Sequence, residues 1–522
     1  MEYLKLFANK IVTLCFSNSK LQTPNFKLKT MLLLGLDLGS SSVKASVIDG
    51  ESGSCLASAF YPKDEMKIIA DRPEWAEQDP EIWWKNIKAS IADCNSQLGA
   101  KRQDIGAIGI SYQMHGLVIV DKNFNVLRPS IIWCDSRAVG YGESAFTSLG
   151  KEFCLGHMLN SPGNFTASKL AWVKENEPET YGKIHKIMLP GDYIALRMTG
   201  DAVTTFSGLS EGIFWDFAEN RISDELLDFH GFSRDLIPEI LPSFSLQGKV
   251  TAAAAKELDL PEGVPVSYRA GDQPNNALSL NVFNPGEVAA TAGTSGVIYG
   301  VTDQKKYDPM SRVNTFLHVN HTQADPRLGV LLCINGTGIL NSWLRRNAGN
   351  NVSYMVMNDM AAKTEIGSEG LSVLPFGNGA ERMLGNKNIG ARILGLNFNI
   401  HNTSHLFRAA QEGIVFSIRF GFDIMKETGI VPKVIRAGAA NMFRSNVFRE
   451  ALSCITGTEI HLYNTDGSVG AARGAGIGCG YYKSVSEAFS GLKAVGTTSP
   501  EKEKTAAYEA AYSTWLDYLK EV

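Results

Sequence analysis

The stretch from 264 to 297 constrains the fold more than any other part of this sequence. It opens with the apolar run 264–270, which leads into Gly271-Asp272-Gln273, and it closes on GTSG at 293–296 between two β-rich runs. The first run is typical of a buried strand that delivers a carboxylate to the carboxyl end of a sheet, where open α/β sheets bind ligands. The second pattern predicts a hairpin whose tip presents backbone N–H groups and hydroxyls, and such tips can hold phosphate.

Each of these two features also has a simpler interpretation. Asp272 precedes Pro274 and a polar–apolar stretch, so it could cap a helix as readily as it could act on a ligand. The GTSG segment could be an ordinary turn. The rest of the chain has to decide between these interpretations.

A similar hairpin is predicted about half a chain earlier. Residues 32–49 (LLLGLDLGSSSVKASVID) contain two apolar runs around GSSS at 39–42, and Asp37 lies just before the turn. This pattern predicts a strand, a turn and a second strand. Two hydroxyl-rich hairpins half a chain apart are what a duplicated nucleotide-binding domain would leave, although two unrelated Gly/Ser turns would look the same.

Composition argues against several classes of function. The 522 residues, 44% hydrophobic and 20% charged, predict a soluble globular protein of two or more domains. A net charge of −4 without a basic block argues against nucleic acid or an anionic membrane as a partner. No apolar run approaches the roughly 20 residues of a membrane span. Eight scattered cysteines without a Cys-x-x-Cys predict free thiols, no zinc site and a cytoplasmic location.

The first thirty residues differ from the rest of the chain. Residues 1–30 contain Lys and Asn, have one short apolar patch and lack the pattern of a signal peptide. Met31 directly precedes the first strong strand. We therefore expect residues 1–30 to be a dispensable N-terminal extension.

Polar residues follow two further strand-like runs. The run 105–110 leads into SYQMHG at 111–116, and CDSR at 134–137 follows the next apolar run. Because strand ends meet at one edge of a sheet, these residues predict a pocket. His115 alone could equally be a structural histidine, and the Asp135–Arg137 pair could lie on the surface.

Glycine and alanine fill most positions of 467–480 (GSVGAARGAGIGCG). Small residues permit very close helix packing, and they also permit close approach to a flat ligand such as a base. The sequence leaves both interpretations open.

Six segments, taken in their order along the chain, resemble one known family. They are DLGSS at 37–41, QMHG at 113–116, WCDSR at 133–137, GDQ at 271–273, GTSG at 293–296 and RAGAAN at 436–441. Each is weak alone, but the ordered set closely resembles the FGGY carbohydrate kinases over nearly all of 31–485. The resemblance implies an α/β fold of two duplicated actin/hexokinase-like (ribonuclease H-like) ATPase domains with an interdomain cleft. We expect a sugar-side N-terminal domain at 31–283, a nucleotide-side C-terminal domain at 284–485 and a C-terminal helical tail at 486–522.

The same resemblance implies a role for each site residue. Asp272 would be the general base that accepts the proton of the sugar hydroxyl, and its helix N-terminus would keep it ionised at neutral pH. The acceptor sugar would be bound by Gln113, Met114, His115, Asp135 and Gln273. ATP would be held by Ser40, Ser41, Gly293, Thr294, Ser295, Gly338, Gly438, Ala439 and Asn441. Asp37 would bind Mg²⁺, which prefers oxygen ligands.

The acceptor is suggested by a finer resemblance. QMHG followed by Trp-x-Asp-x-Arg resembles the xylulokinases, so we expect an ATP-dependent kinase whose partners are ATP and a ketose, D-xylulose. Gln273-Pro274 replaces the Asn-Ala that is commoner in that subgroup, and kinases of ribulose, fuculose or glycerol remain alternatives. A non-catalytic actin-fold protein that binds nucleotide is an alternative of a different class. The sequence leaves the oligomeric state open, with a homodimer as one expectation.

Overall fold

The computed structural model describes residues 31–522, and its first half is built on a five-stranded sheet. The strands are β1 (Leu32–Leu38), β2 (Val43–Asp49), β3 (Cys55–Tyr61), β4 (Ile105–Tyr112) and β5 (Val266–Gly271). Their order is β5-β4-β1-β2-β3, in which β1, β2 and β3 run antiparallel to their neighbours and β1, β4 and β5 run parallel. The carboxyl ends of three strands therefore meet at one edge of this sheet.

A seven-stranded sheet organises the second half. Its strands are β6 (Glu287–Ala292), β7 (Gly296–Thr302), β8 (Asn314–Leu317), β9 (Leu328–Ile334), β10 (Val434–Gly438), β11 (Glu459–Tyr463) and β12 (Ala494–Thr498). The order is β8-β9-β7-β6-β10-β11-β12. The five strands from β9 to β11 repeat the first sheet, with an antiparallel hairpin and third strand on one side and two parallel strands on the other. The predicted duplication is confirmed, and each hydroxyl-rich turn joins the first two strands of its sheet.

Six helices carry much of the packing around these sheets. They are α1 (Pro80–Leu98), α2 (Asp272–Ser279), α3 (Gly338–Asn347), α4 (Thr403–Glu427), α5 (Gly467–Gly478) and α6 (Lys502–Lys520). Helix α1 begins where it does because the Asp79 side chain accepts the Glu81 N–H and Pro80 fits the first helical turn. Its Trp83 and Ile87 are buried in the core of the first half, and α4 and α6 pack into the core of the second half.

Shorter elements surround the two sheets. Further helices are Val139–Leu149, Lys151–His157, Thr166–Asn176, Pro178–Tyr181, Pro190–Thr199, Phe206–Glu211, Asp224–His230, Ala252–Leu258, Tyr354–Ala362, Asn446–Thr456 and Val485–Ala488. Short 3₁₀ turns are Gly99–Asp104, Arg234–Leu236, Ser368–Gly370, Arg382–Leu384 and Asn441–Arg444. Two-stranded pairs are Glu77–Gln78 with Ser130–Ile131, Val118–Val120 with Lys186–Met188, Val203–Thr205 with Glu239–Leu241, Trp215–Asp216 with Arg221–Ile222, and Ser372–Leu374 with Arg392–Leu394.

Helix α5 follows a strand of the second sheet but packs on the first. It comes after β11 in the chain, yet it contacts β1, β2, β4 and β5. Two glycines allow this approach: a Cβ at Gly35 would lie 1.8 Å from Ser468 O, and a Cβ at Gly109 would lie 2.0 Å from Ala471 O. The small residues of 467–480 therefore serve helix packing, which answers the alternative that the sequence left open.

The segment after residue 485 completes the second half. Strand β12 pairs antiparallel with β11, and α6 buries Tyr508, Tyr512 and Trp515. The sequence predicts α6 but not β12. The run AVGTT at 494–498 is short and does not alternate between apolar and polar residues, and in the structure it is mostly exposed. The predicted extension at 1–30 lies outside the described residues.

Two expectations from composition can be compared with the described part of the chain. The seven cysteines within 31–522 are all free thiols, as their scattered spacing predicts. None of the helices in the same range combines the length and the apolar character needed to cross a membrane.

We predict that Gly109→Ala lowers the thermal unfolding midpoint. The added methyl group would meet the backbone of α5, which cannot move aside as the end of a side chain could. We therefore expect the free energy of unfolding to fall by about 1–3 kcal/mol or more. Gly140→Ala is the control, because nothing lies within 4 Å of its added Cβ. Calorimetric melting of both variants tests the prediction, and equal midpoints would mean that α5 is not held this closely.

Candidate active site

Three parallel strands bring polar groups together at one edge of the first sheet. Asp37 on β1 is in register with Ser111 on β4, and Tyr112 is in register with Gly271, the last residue of β5. Ser111 Oγ donates a hydrogen bond to Asp37 Oδ1 at 2.7 Å. Asp272 follows as the first residue of α2. The carboxylates predicted to act on the metal and on the acceptor therefore lie at the same edge.

Asp272 begins helix α2 but does not cap it, because Gly271 occupies the N-cap position. Burial, and then the negative charge of Asp37, raises the pKa of Asp272 to about 7, although the backbone and side-chain amides of Gln273 donate to its carboxylate. The expectation that the helix N-terminus keeps this group fully ionised at neutral pH is therefore wrong, since burial outweighs the helix dipole. A pKa near the working pH suits a general base.

Asp37 lies close enough to both Asp272 and Asp466 for the charges to affect ionisation. Burial raises the pKa of Asp37, and the charge of Asp466, the N-cap residue of α5, adds to that rise. Lys44 Nζ contacts Asp466 Oδ2 at 2.6 Å and offsets part of this negative charge. One ammonium group does not balance three carboxylates, so a cation with oxygen ligands fits this edge.

No three His, Cys, Asp or Glu side chains within 31–522 converge to form a metal cluster. Mg²⁺ commonly binds through one or two carboxylates, with water and substrate phosphate completing its shell. Asp37, hydrogen-bonded to Ser111 and facing the other acids, has the chemistry for such a site.

A glutamine side chain stabilises the backbone of the first hydroxyl-rich turn, residues 39–42. Gly39 N donates to Ser42 O at 3.0 Å, which closes the turn. Gln78 Nε2 donates to the carbonyl of Ser40 at 2.7 Å. Ser41, at the tip, is exposed. The hydroxyls of Ser40 and Ser41 are thus presented on a turn whose backbone is fixed.

The second turn is held by the start of helix α3. Gly338 N donates to Gly293 O at 2.8 Å, and Ile339 N donates to Thr294 O at 3.1 Å. A Cβ at Gly338 would lie 2.2 Å from Gly293 O, so only glycine permits this contact. Gly338 therefore supports the turn while Thr294, which is exposed, faces outward.

A cavity of about 1050 Å³ opens beside the second turn. Four residues predicted to bind nucleotide line it, namely Gly293, Thr294, Gly338 and Asn441. Residues that the sequence did not single out add aromatic and polar surface, among them Tyr354, Asn358, Arg444 and Asn446. Ser295, Gly438 and Ala439 do not line the cavity. Its size and mixed lining suit a nucleotide.

His115 lies on the predicted acceptor side in an unusual backbone conformation. Its φ is 63°, in the left-handed region. Lys169 Nζ donates to its carbonyl oxygen at 2.7 Å, and its Nδ1 lies 2.9 Å from Glu211 O. Burial, and then the charge of Lys169, lowers the pKa of His115 to about 3, so the ring is neutral. Since Nδ1 must donate to a carbonyl, Nε2 carries the lone pair and can accept a hydrogen bond from a hydroxyl.

Side chains from both halves surround His115. Its imidazole lies 4.7 Å from the ring of Phe165 and 5.5 Å from that of Phe316, measured between centroids. Phe316 belongs to β8 of the second sheet. Met114 is buried against Gly271, where an added Cβ would lie 2.5 Å from Met114 Cγ. The pocket therefore lies at the end of β5 and is lined by residues of both halves of the protein.

Two residues predicted to bind the sugar form hydrogen bonds within the protein. Gln113 Nε2 donates to Gln78 Oε1 at 3.0 Å, so Gln113 supports the first turn. The Asp135 carboxylate is fully buried and accepts both Nε and Nη2 of Arg137. The Asp135 oxygens serve a buried ion pair, and its contact with the sugar stays a prediction. The alternative interpretation of a surface pair is right that Asp135 pairs with Arg137, but the pair is buried.

Glu211 is an acid of the site that the sequence did not predict. It is fully buried, and a Cβ at Gly271 would lie 2.4 Å from its Oε2. Burial, and then the charge of Asp272, raises its pKa well above the usual range. The Glu211 side chain therefore packs against Gly271, the residue before the candidate base Asp272. The surrounding GLSEG at 208–212 carries no motif that would have indicated this role.

Two family models match most of the described chain. The N-terminal domain of the FGGY family of carbohydrate kinases matches residues 32–279, and the C-terminal domain matches residues 288–479. The xylulose kinase of Escherichia coli (strain K12) is 29% identical over 492 residues, 93% of this chain and 98% of that relative. The xylulose kinase of Bacillus subtilis (strain 168) is 29% identical over 466 residues, 87% of this chain and 90% of that relative.

Solved structures share the fold over nearly the whole chain. The xylulose kinase from Rhodospirillum rubrum has a TM-score of 0.84 at 25% identity, covering 94% of this chain and 98% of its own. A gluconate kinase from Lactobacillus acidophilus and a glycerol kinase from Plasmodium falciparum match with the same score and coverage at 22% and 20% identity. The two domain models, the duplicated sheets and the cleft residues agree, and the chain belongs to the FGGY family of carbohydrate kinases.

Proposed function

We propose that this ATP-dependent carbohydrate kinase phosphorylates D-xylulose at its terminal hydroxyl and produces D-xylulose 5-phosphate. The observation that carries the proposal is Asp272, a carboxylate with a pKa of about 7 at the start of α2, next to Gly271, which packs against Met114. Relatives named xylulose kinase that align with 93% and 87% of the chain support this choice of acceptor. Membership of a kinase family answers the alternative of a non-catalytic nucleotide-binding protein.

The proposed reaction is a direct phosphoryl transfer. Asp272 takes the proton from the terminal hydroxyl of the sugar while that oxygen forms a bond to the γ-phosphorus of ATP. The bond from the γ-phosphorus to the β–γ bridging oxygen breaks, and ADP leaves with the electron pair. Catalysis then rests on positioning and on stabilisation of charge, as in phosphoryl transfer generally.

Other residues bind and orient the reactants. His115 Nε2 accepts a hydrogen bond from a hydroxyl of the sugar, and Gln273 holds the carboxylate of Asp272 through its amides. Ser40, Ser41, Thr294 and Ser295 donate to the phosphates of ATP from the two turns. Mg²⁺, held near Asp37, would neutralise charge on the phosphate oxygens.

Activity should depend on pH through Asp272. We predict that kcat/KM falls about tenfold per pH unit below about pH 7, because the base is protonated there in the free enzyme. Asp272→Asn should lower kcat by about 10²–10⁴ and should lack this acidic limb. Steady-state kinetics from about pH 5.5 to 8.5 test both statements. A flat profile in the native enzyme, or full turnover in the variant, would remove Asp272 from the mechanism.

Replacement of His115 should weaken binding of the acceptor. We choose His115→Asn because asparagine tolerates a positive φ, so the backbone is preserved. Loss of one hydrogen bond should raise the KM for the acceptor by about 2- to 10-fold and should change kcat little. His461→Asn, at an exposed pair with Glu459, is the control. An unchanged KM for the acceptor in His115→Asn would contradict the assigned pocket.

A panel of acceptors tests the substrate. We predict that D-xylulose gives the highest kcat/KM among D-xylulose, D-ribulose, L-fuculose, glycerol and gluconate, measured by release of ADP. Asp272→Asn provides the background for each acceptor. Preference for another acceptor would overturn the assignment to D-xylulose but would leave the chain a carbohydrate kinase.

A further inference from the structure

Arg382 is a half-buried arginine that forms no ion pair with an acid among residues 31–522. It opens the turn Arg382–Leu384 of the second half, and its Nη1 is buried without a hydrogen-bond partner among residues 31–522. Two buried arginines of the described chain show the usual alternative, since Arg269 pairs with Asp192 and Arg408 pairs with Glu412. A buried donor without a partner is costly, and a ligand oxygen that accepts from Nη1 of Arg382 would remove that cost.

The neighbouring acid does not supply that partner. Glu381 precedes Arg382 in the chain, but both of its carboxylate oxygens accept the backbone N–H of Asn335, at 2.9 and 3.2 Å. Glu381 is fully buried in this arrangement. The acid thus holds the end of β9 and is not the partner of the Arg382 guanidinium.

Arg382 lies beside an aromatic side chain that also contacts His115. Its guanidinium carbon lies 6.0 Å from the ring of Phe165, which also contacts His115. A Cβ at Gly163 would lie 3.5 Å from Nη2 of Arg382. Both contacts are with the first half, although Arg382 belongs to the second.

The charge of Arg382 acts on His115 and on a residue near the candidate base. After burial and Lys169, the charge of Arg382 contributes to the low pKa of His115. The charges of Arg382 and Asp272 also act in opposite directions on the thiol of Cys333 in β9, so both groups lie within electrostatic range of that residue. The guanidinium is therefore within electrostatic range of both ends of the pocket.

We propose that Arg382 binds the carbonyl and hydroxyl oxygens at the end of the sugar away from the phosphorylated hydroxyl. The planar guanidinium can donate to two adjacent oxygens at once, which suits the hydroxymethyl ketone of a ketose. His115 contacts the acceptor from the first half and Arg382 from the second, so the acceptor is bound by both halves. The ketose in this statement rests on the proposed function, whereas the role of Arg382 as the acceptor's cationic contact does not.

Kinetics and melting of Arg382→Met and Arg382→Lys test this role. Arg382→Met should raise the KM for the acceptor by about 10- to 100-fold, because hydrogen bonds from a charged donor are lost, and should change the KM for ATP by less than about threefold. Arg382→Lys keeps the charge without the two-pronged geometry and should give an intermediate KM. Without ligands, Arg382→Met should melt at or above the native midpoint, since it removes a buried donor that has no partner.

Arg312→Met is the matched control, because Arg312 lies in the same half and pairs with Asp308 at 2.7 Å. It should lower the midpoint and leave both KM values unchanged. An unchanged acceptor KM in Arg382→Met overturns the proposal. So does a fall in its ligand-free midpoint comparable to that of Arg312→Met, which would make Arg382 a structural residue.

The acceptor used for these measurements is the one that the native enzyme phosphorylates best in the panel. If that acceptor is not D-xylulose, the proposed function fails, and the effect of Arg382→Met on the better acceptor still decides the role of Arg382. If gluconate is preferred and loses most in the variant, the partner is a carboxylate and the ketose contact is overturned. If no acceptor is phosphorylated, the ligand-free melting still decides whether Arg382 is structural.

Discussion

Burial of acidic groups at the carboxyl edge of the first sheet is the constraint on which the rest of the site depends. Asp37 and Asp272 lie at the ends of β1 and β5, where desolvation disfavours their charged forms and each raises the cost of ionising the other. Ser111 and the amides of Gln273 offset part of this cost through hydrogen bonds. The same low-polarity surroundings strengthen every interaction with a phosphate or a cation.

Glu211 supports both ends of the acceptor pocket. The backbone carbonyl of Glu211 fixes the ring of His115, and its side chain lies behind Gly271, which precedes Asp272. Any displacement of the helix Phe206–Glu211 would therefore move the acceptor contact and the base together. Lys169 also stabilises the strained backbone of His115, because its Nζ donates to the carbonyl oxygen of that residue. The geometry of the reacting groups is thus set by residues that need not touch the substrates.

Much of the architecture follows from local patterns in the sequence. Strand ends carrying Asp37, His115 and Asp272 are visible because apolar runs stop abruptly at polar residues, and the two hydroxyl-rich turns reveal the duplication. The pKa of Asp272 could not be predicted in the same way, because it depends on burial by distant segments. Asp135 shows the same limit: its pairing with Arg137 is local, but its burial depends on the fold.

Three residues that the structure brings to the site have no role assigned from the sequence. Glu211, Lys169 and Arg382 lie in a short helix, a longer helix and a turn, far apart in the chain, and only tertiary structure brings them to one pocket. For the small residues of 467–480 the sequence allowed two uses, and only the position of β1 and β4 decides between them. The domain limits at 283 and 284, the dispensable extension at 1–30, the homodimer and the cytoplasmic location stay predictions.

Helix α5 has a consequence for how this chain can be divided. It is encoded after β11 of the second half, yet it fills the face of the first sheet against Gly35 and Gly109, and its N-cap acid Asp466 contacts Lys44 of β2. A fragment that stops near residue 284 would expose the apolar face of β1 and β4 to water. The two halves are therefore not autonomous folding units, and insertions or fusions that separate them must leave α5 free to return to the first sheet.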